Sequence, residues 1–324
     1  MTKKVKKSAY SVLMDKPGYL KWSVKKFKET YPVKYSLKEV ELAFEKAKHD
    51  IKLGVSVINP KQTKSALKST KTPVKKFKRL FFDIETSPNI VTSWRVGYNL
   101  NIGPEAIIKE RAIICVCWKW EGESKQYSLE WNKGCDKELL TKFVDVLEQA
   151  DEICGHNSDK FDIKWLRARC YINNVKMFPT YKTIDTLKLS RSGFYFNSNK
   201  LDYLGKISGF GGKKDTGGME TWNKIIFDNC PKAMKKMVSY CHGDITLLEK
   251  VFKKLNSYTL AKVHVGVVMG KDRCSCTNCA SSNTVVNLTR TMASGLKQKV
   301  LKCKDCGKIH SIPESVYNKI KGIK

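Results

Sequence analysis

No stretch of this sequence approaches the 18 or more apolar residues of a membrane span, and its longest apolar runs, such as AIICVC at 112–117, are strand-sized. The opening MTKKVKKSAY is basic and no apolar region follows it, so no secretory signal is expected. Internal repeats are lacking. A P-loop is lacking too: in GFGGKKDTGG (209–218), Gly212 and Lys213 are followed by Lys214, where the phosphate-binding pattern requires Ser or Thr. Acidic residues are scarce, 31 against 61 Lys and Arg, for a formal charge of +30 over 324 residues. These absences argue against a membrane-spanning chain and a P-loop nucleotidase. They lead us to expect a soluble cytoplasmic protein, in the host cytoplasm if the source is viral.

The basic excess is unevenly placed. Residues 1–79 hold 22 Lys and Arg against 6 Asp and Glu, and residues 271–324 hold 11 against 3, whereas residues 80–270 hold 28 against 22. Basic flanks around a nearly balanced body suit a protein that binds a polyanion while its centre does something else. Lysine enrichment for solubility is the competing reading. Of the 12 cysteines, seven are scattered through the body in apolar or helical contexts, as reduced core thiols are. The other five crowd into residues 274–306, which points to metal binding.

Residues 1–56 read as a basic helical unit. Leu20, Val24 and Phe27 fall at helical spacing before Pro32, and a second helix starts at Ser36, with Glu39 completing a capping box. Two short basic helices around a tight turn fit either a helix-turn-helix reader of DNA or a charged hairpin with no groove to read. From 57 to 78 the apolar periodicity gives way to Lys, Ser, Thr and Pro, as in a flexible basic linker. Residues 79–258 alternate between strand and helix patterns. Strands are predicted at 79–85, 111–120, 125–131 and 152–155, and helices at 136–150, 159–172, 200–208, 220–228 and 231–255. That order predicts an α/β domain with a mixed sheet and flanking helices.

Within this body, LFFDIETSP (80–88) sets Asp83 and Glu85 two residues apart on a strand, hence on the same side. Carboxylates that close repel unless a cation lies between them or one is protonated. A hard divalent ion such as Mg2+ resolves the conflict, binding through a few carboxylates plus substrate phosphate. ICGHNSDKFDIKWL (153–166) ends a strand at His156 and Asn157, then runs into a helix carrying Asp162 between Phe161 and Ile163. MVSYCHGDITLLEKVF (237–252) places Tyr240 and Asp244 four apart on one helical face. Four acids from a strand and two helices are expected to converge at one end of the sheet.

FDIET, NSDKFD and YCHGD, in this order and at these separations, resemble the three exonuclease motifs of the DEDD superfamily, over about residues 79–256. The last is the tyrosine variant, similar to the exonuclease domains of family B DNA polymerases and their stand-alone bacterial and phage relatives. The histidine variant would need His at Ser239, and His242 is off that spacing. NKLDYLGKISGF and TWNKII also resemble helices found between the second and third motifs of the stand-alone enzymes. The resemblance implies a ribonuclease H-like fold and a metal-dependent 3′–5′ exonuclease using two Mg2+ or Mn2+, with single-stranded DNA favoured over RNA. It implies that Asp83 bridges both ions, Glu85 and Asp244 complete the first, Asp162 holds the second partly through water, and Tyr240 orients the attacking water. Two cations roughly 4 Å apart activate that water and stabilise the leaving oxygen together. Tyrosine, with an ordinary pKa near 10, is a poor base at pH 7.

The implied partners are nucleic acid and, on a separate chain, a DNA polymerase or other replication or repair proteins of a phage or bacterium, with no membrane. Asn157, Lys213 and Lys214 are the candidate substrate contacts, although a plain flexible connection is the other reading of the lysine loop. The same fold serves endonucleases and resolvases. An endonuclease, or a silent nucleic-acid-binding adaptor, therefore stands as an alternative.

At the C-terminal end, CSCTNC (274–279) and CKDC (303–306) supply two CxxC pairs, Cys276/Cys279 and Cys303/Cys306, with 23 residues between them. Four thiolates at this spacing hold one structural Zn2+ tetrahedrally. The intervening NTVVNLTRTMASGLKQKVLK alternates like two strands joined at Ser294 and Gly295, and the whole, residues 259–324, resembles a zinc ribbon. Cys274 is a surplus thiol able to replace Cys276, and His310 is left out of the set. So short a segment builds little core, so the metal is expected to hold it together. Its basic residues make it a clamp on DNA or RNA.

Overall fold

The computed structural model describes residues 12–13, 23–31, 35–52, 76–213 and 217–323. Leu20, Lys214 and the expected linker as far as residue 75 lie outside the described residues. The chain divides into two units, Met1–Pro73 and Val74–Lys324. In the first, α1 (Val24–Thr30) is capped by the Ser23 hydroxyl, which accepts from Lys26 N at 3.2 Å. The capping box forms at α2 (Leu37–Lys52): Ser36 N donates to Glu39 Oε2 at 2.7 Å and Glu39 N donates to Ser36 Oγ at 3.2 Å. Phe27, Val40, Phe44 and Ala47 pack between the two helices, with Phe27 edge-on to Phe44 at 5.6 Å between centroids.

The second unit is built on β1 (Arg79–Thr86), β4 (Ile113–Trp120), β5 (Tyr127–Glu130), β6 (Glu152–Gly155) and β7 (Thr183–Asp185), with a hairpin of β2 (Ile90–Val91) and β3 (Ile107–Lys109) inserted after β1. The five strands form one mixed sheet in the order β5-β4-β1-β6-β7, with β1 antiparallel to β4 and parallel to β6. Alternation along β1 decides what each face receives. Leu80, Phe82 and Ile84 pack on α3 (Lys137–Leu147) and α4 (Asp162–Ile172) through residues such as Leu140, Phe143 and Leu166. Phe81 faces the other layer, made of α5 (Thr186–Gly193), α6 (Leu201–Ile207) and the 27-residue α8 (Pro231–Ser257), and meets Phe252 at 5.5 Å between centroids. α7 (Gly218–Ile226) packs on α8. Full burial of each β1 phenylalanine contributes about 1.5–3 kcal/mol, fixing the strand's register. Arg79 anchors the end of β1 away from the acids, with Nε 2.6 Å from Glu152 and a guanidinium nitrogen 2.7 Å from Glu121.

The strand predicted from 111 begins at Ile113. The amides of Arg111 and Ala112 are taken instead by the side chains of Asn89 (2.8 Å) and Ser87 (3.0 Å). The helix predicted from 159 begins at Asp162, because Lys160 N and Phe161 N turn back onto the Asn157 carbonyl at 3.1 and 3.0 Å. The sequence pattern predicts neither β2, β3 and β7, since strands of two or three residues are too short to show alternation, nor the eight-residue α5. After α9 (Val265–Val268) come β8 (Thr284–Thr291), β9 (Lys297–Cys303), β10 (Ile309–Pro313) and α10 (Glu314–Lys321). The β8–β9 turn closes at Gly295, whose N donates to Met292 O at 2.9 Å. Its φ of +79° is one that glycine adopts without strain. Buried Lys308 fastens this three-stranded sheet to the end of α8, donating to the carbonyls of Asn256 and Thr259. Among the described residues no helix is long and apolar enough to cross a membrane.

Candidate active site

Because odd residues of β1 face α8, Asp83 and Glu85 project toward the helix that carries Tyr240 and Asp244 one turn apart. Carboxylate oxygens of Asp83, Glu85 and Asp244 all lie within 4.8 Å of one another. Asp162 lies outside that triple. It arrives in the first turn of α4, buried, and its Oδ1 accepts from Ile84 N at 3.2 Å, between the two β1 acids in sequence.

The electrostatics are those of a crowded anionic site. Burial, then the charges of Asp162, Glu85 and Asp244, push the Asp83 carboxyl well above its ordinary value. Burial, and then Asp244, raise Glu85 to about 7. Burial likewise raises Asp162 to about 7, against the hydrogen bond from Ile84 N. Asp244 is raised by burial and held down by Lys213, whose Nζ lies 2.6 Å from its Oδ2. The same ammonium lies 3.3 Å from Tyr240 Oη. Burial, then Asp244, push the phenol up to about 12, so Tyr240 is protonated at neutral pH.

Lys213 reaches the acids from a loop folded against α6. Lys213 N donates to Asp202 Oδ1 at 2.8 Å. Gly205 permits the approach, since a Cβ there would stand 2.5 Å from Gly211 O and 2.7 Å from Leu247 Cδ1. A cleft of about 560 Å³ opens beside this lysine, lined by His156, Asn157, Arg191, Asn199, Lys200 and Lys213 among others. Asn157 sits at its wall in the left-handed region, φ +64°, with its N donating to Asp185 Oδ1 at 2.9 Å. Buried Asp185 also caps α5 through Leu187 N at 2.9 Å. Sequence reasoning missed Asp185, although an acid between a short apolar run and a helix, as in TIDTLKL, carries an N-cap signal. His156 Nδ1 lies 2.9 Å from Thr186 Oγ1, and burial lowers its pKa to about 4, so the ring is neutral.

Beneath the acids, Cys117 and Cys115 occupy the β4 positions paired with Asp83 and Glu85. With Cys241 their sulfurs all lie within 4.8 Å of one another, and Cys241 Sγ is 3.6 Å from Asp83 O. Hydrogen bonds within the trio and burial keep these thiols protonated. They serve as the packed floor under the carboxylates.

Beside the β8–β10 sheet, Cys276 and Cys279 before β8, Cys303 at the end of β9 and Cys306 in the turn that follows offer sulfurs all within 4.8 Å, with Cys276–Cys306 at 3.5 Å and Cys279–Cys303 at 3.7 Å. A tetrahedral Zn2+ with Zn–S bonds of about 2.3 Å needs sulfur separations of about 3.8 Å, so the four fit one ion. Asn278 N and Cys279 N both point at Cys276 Sγ, at 3.3 and 3.5 Å. Cys274 is outside the tetrad and packs instead with Leu301 and Ile312. His310 Nε2 lies 3.4 Å from Arg273 O, its ring against His264.

Residues 109–256 match the family model RNase_H_2, described as RNase_H superfamily. No curated protein matches the chain. Among solved structures, the family B DNA polymerase from the hyperthermophilic archaeon Pyrobaculum calidifontis is similar at 16% identity and a TM-score of 0.44, over 60% of this chain. The match takes in 26% of that polymerase chain. The α/β domain has a ribonuclease H-like fold, a mixed five-stranded sheet flanked by helices.

Proposed function

We propose that this protein is a metal-dependent 3′–5′ exonuclease that hydrolyses phosphodiester bonds of nucleic acid, single-stranded DNA above all. The observation that carries the reading is the convergence of the Asp83, Glu85 and Asp244 carboxylates within 4.8 Å. Asp162 lies against the same strand, and the acids are held high by burial and mutual repulsion. Such a cluster is relieved by cations, and an all-oxygen donor set favours Mg2+ or Mn2+. Asp83 would bridge two ions, Glu85 and Asp244 would complete one, and Asp162 would hold the other. Bound there, the ions supply a nucleophile at neutral pH and stabilise the leaving oxygen.

The chain's own groups do the rest. Tyr240, protonated on its hydroxyl, positions the attacking water and does not act as the base. Lys213, at the cleft and beside Asp244, would contact a substrate phosphate. Asn157, Arg191 and Lys200 along the adjoining cleft hold the backbone. The 3′ polarity and the DNA preference rest on the motif resemblance. One Zn2+ held by Cys276, Cys279, Cys303 and Cys306 has a structural role.

Digestion of a 5′-labelled single-stranded DNA and a matching RNA, with Mg2+ or Mn2+ and then with EDTA, tests the reading. A metal-dependent ladder shortening from the 3′ end is expected, and Asp83→Ala abolishes it while leaving binding in place. Binding without cleavage in either metal would leave an adaptor, and internal cuts would make the protein an endonuclease.

A further inference from the structure

We propose that the loop between β2 and β3 is a stacking arm that grips unpaired nucleobases of the strand presented to the acids; the identity of that strand rests on the exonuclease reading. The chain leaves β1 just past Glu85, is tied down where Trp222 Nε1 donates to Thr86 O at 3.0 Å, and enters the hairpin at Ile90. The arm therefore departs from the acid-bearing end of the central strand. It returns at β3, where Ile90 pairs with Lys109 and Val91 with Ile107.

Between the two strands, Trp94, Val96 and Tyr98 are 104%, 99% and 100% exposed. Exposure of that order leaves both faces of each ring without a protein neighbour. Three large apolar side chains exposed within five residues form a local cluster of the kind that marks an interaction site. Local bends present them. Ser93 Oγ donates to Arg95 O at 2.7 Å and accepts from Arg95 N at 3.3 Å, and left-handed bends at Gly97 (φ +155°) and Asn99 (φ +60°) form the tip.

The surrounding chemistry selects the occupant. From Thr86 to Pro104 the sequence holds no acid, and the apolar residues alternate with Arg95, Asn99 and Asn101, while the arm's base carries Lys109 and Arg111 alongside Glu105 and Glu110. Aromatic rings interleaved with cationic and hydrogen-bonding side chains suit a single strand, whose bases stack while its phosphates are neutralised. The loop's one acid, Glu105, sits in the turn that leads into β3, seven residues beyond Tyr98.

The test reads binding, not cleavage, in the full-length Asp83→Asn protein with no Mg2+ or Mn2+ added, so that the zinc stays in place. Fluorescence anisotropy is measured with a labelled oligothymidylate and with the same oligomer made abasic near its 3′ end. Trp94→Ala and Tyr98→Ala are each expected to weaken oligothymidylate binding by about 5-fold or more, with Trp94→Phe retaining most of the affinity. The abasic oligomer should bind the parent weakly and gain nothing from either ring. Melting temperatures should not move, because the rings are exposed. Alanine variants that bind as well as the parent, that lose affinity equally for the abasic strand, or a parent that binds no oligomer, would overturn the arm. Failure of the exonuclease reading shows differently, as absent hydrolysis by the unmutated chain with these affinities intact.

Discussion

At the scale of single residues the site is a set of acids held together against their own repulsion. Glu85 has the sign that matters: its folded-state pKa of about 7 lies above the ordinary 4.5. The protonated form is favoured by the fold. Its contribution to stability is complete below about pH 4.5 and is lost as pH rises through about 7. Without added Mg2+ or Mn2+, Glu85→Gln should therefore match the parent protein near pH 4.5 and be more stable at pH 8, by about 1–3 kcal/mol. Mg2+ should raise the parent's melting temperature more at pH 8 than at pH 5. Thermal melts across that range check both, and a pH-independent gap would show that the carboxyl is not strained. Lys213 and Asp185 show what residue-level pattern reading reaches and misses. The lysine was legible as a basic residue in a glycine-rich loop. Its ion pair to Asp244 was not, because 31 residues separate them.

At the scale of elements, one strand and one helix do most of the positioning. β1 is legible in RLFFDIET because period-two alternation forces Asp83 and Glu85 to one side. α8 is legible because Tyr240 and Asp244 stand one turn apart in a long amphipathic segment. Helix starts were less legible: α4 begins at Asp162 and not at 159, through main-chain bonds to Asn157 that leave no mark on composition. The surplus thiol Cys274 was ambiguous in sequence, and packing distinguishes it. Cys274→Ser is expected to retain one zinc per chain, whereas Cys276→Ser should lose it and unfold β8–β10. Metal analysis by mass spectrometry, with thiol titration alongside, decides this. Loss of zinc from the Cys274 variant would mean that the ligand set is misassigned.

At the scale of the whole molecule, charge outweighs every other feature, +30 and concentrated on the flanks. Each neutralised phosphate releases a counterion, so affinity for nucleic acid should fall steeply and log-linearly with salt. Removing residues 1–75 deletes 19 Lys and Arg against 6 acids. That truncation should weaken single-strand binding and flatten the salt slope, while leaving single-turnover cleavage at saturating protein nearly unchanged. Filter binding across a salt series from low to above physiological ionic strength measures it. An unaltered slope would return the flank to simple lysine enrichment.

The sequence by itself determined the alternating strand that aims two acids, the helix that aims a third acid and a phenol, and the two CxxC pairs, because each is a short-range regularity with a fixed geometric period. It also determined where charge accumulates. Only the tertiary structure decided that Asp162 stands apart from the triple, that Lys213 occupies Asp244, that three thiols floor the site, that Cys274 belongs to a core and that Trp94 and Tyr98 are left bare. Those facts depend on which distant segments meet and on which surfaces remain uncovered when they do. Packing fixes both, and no local period records either.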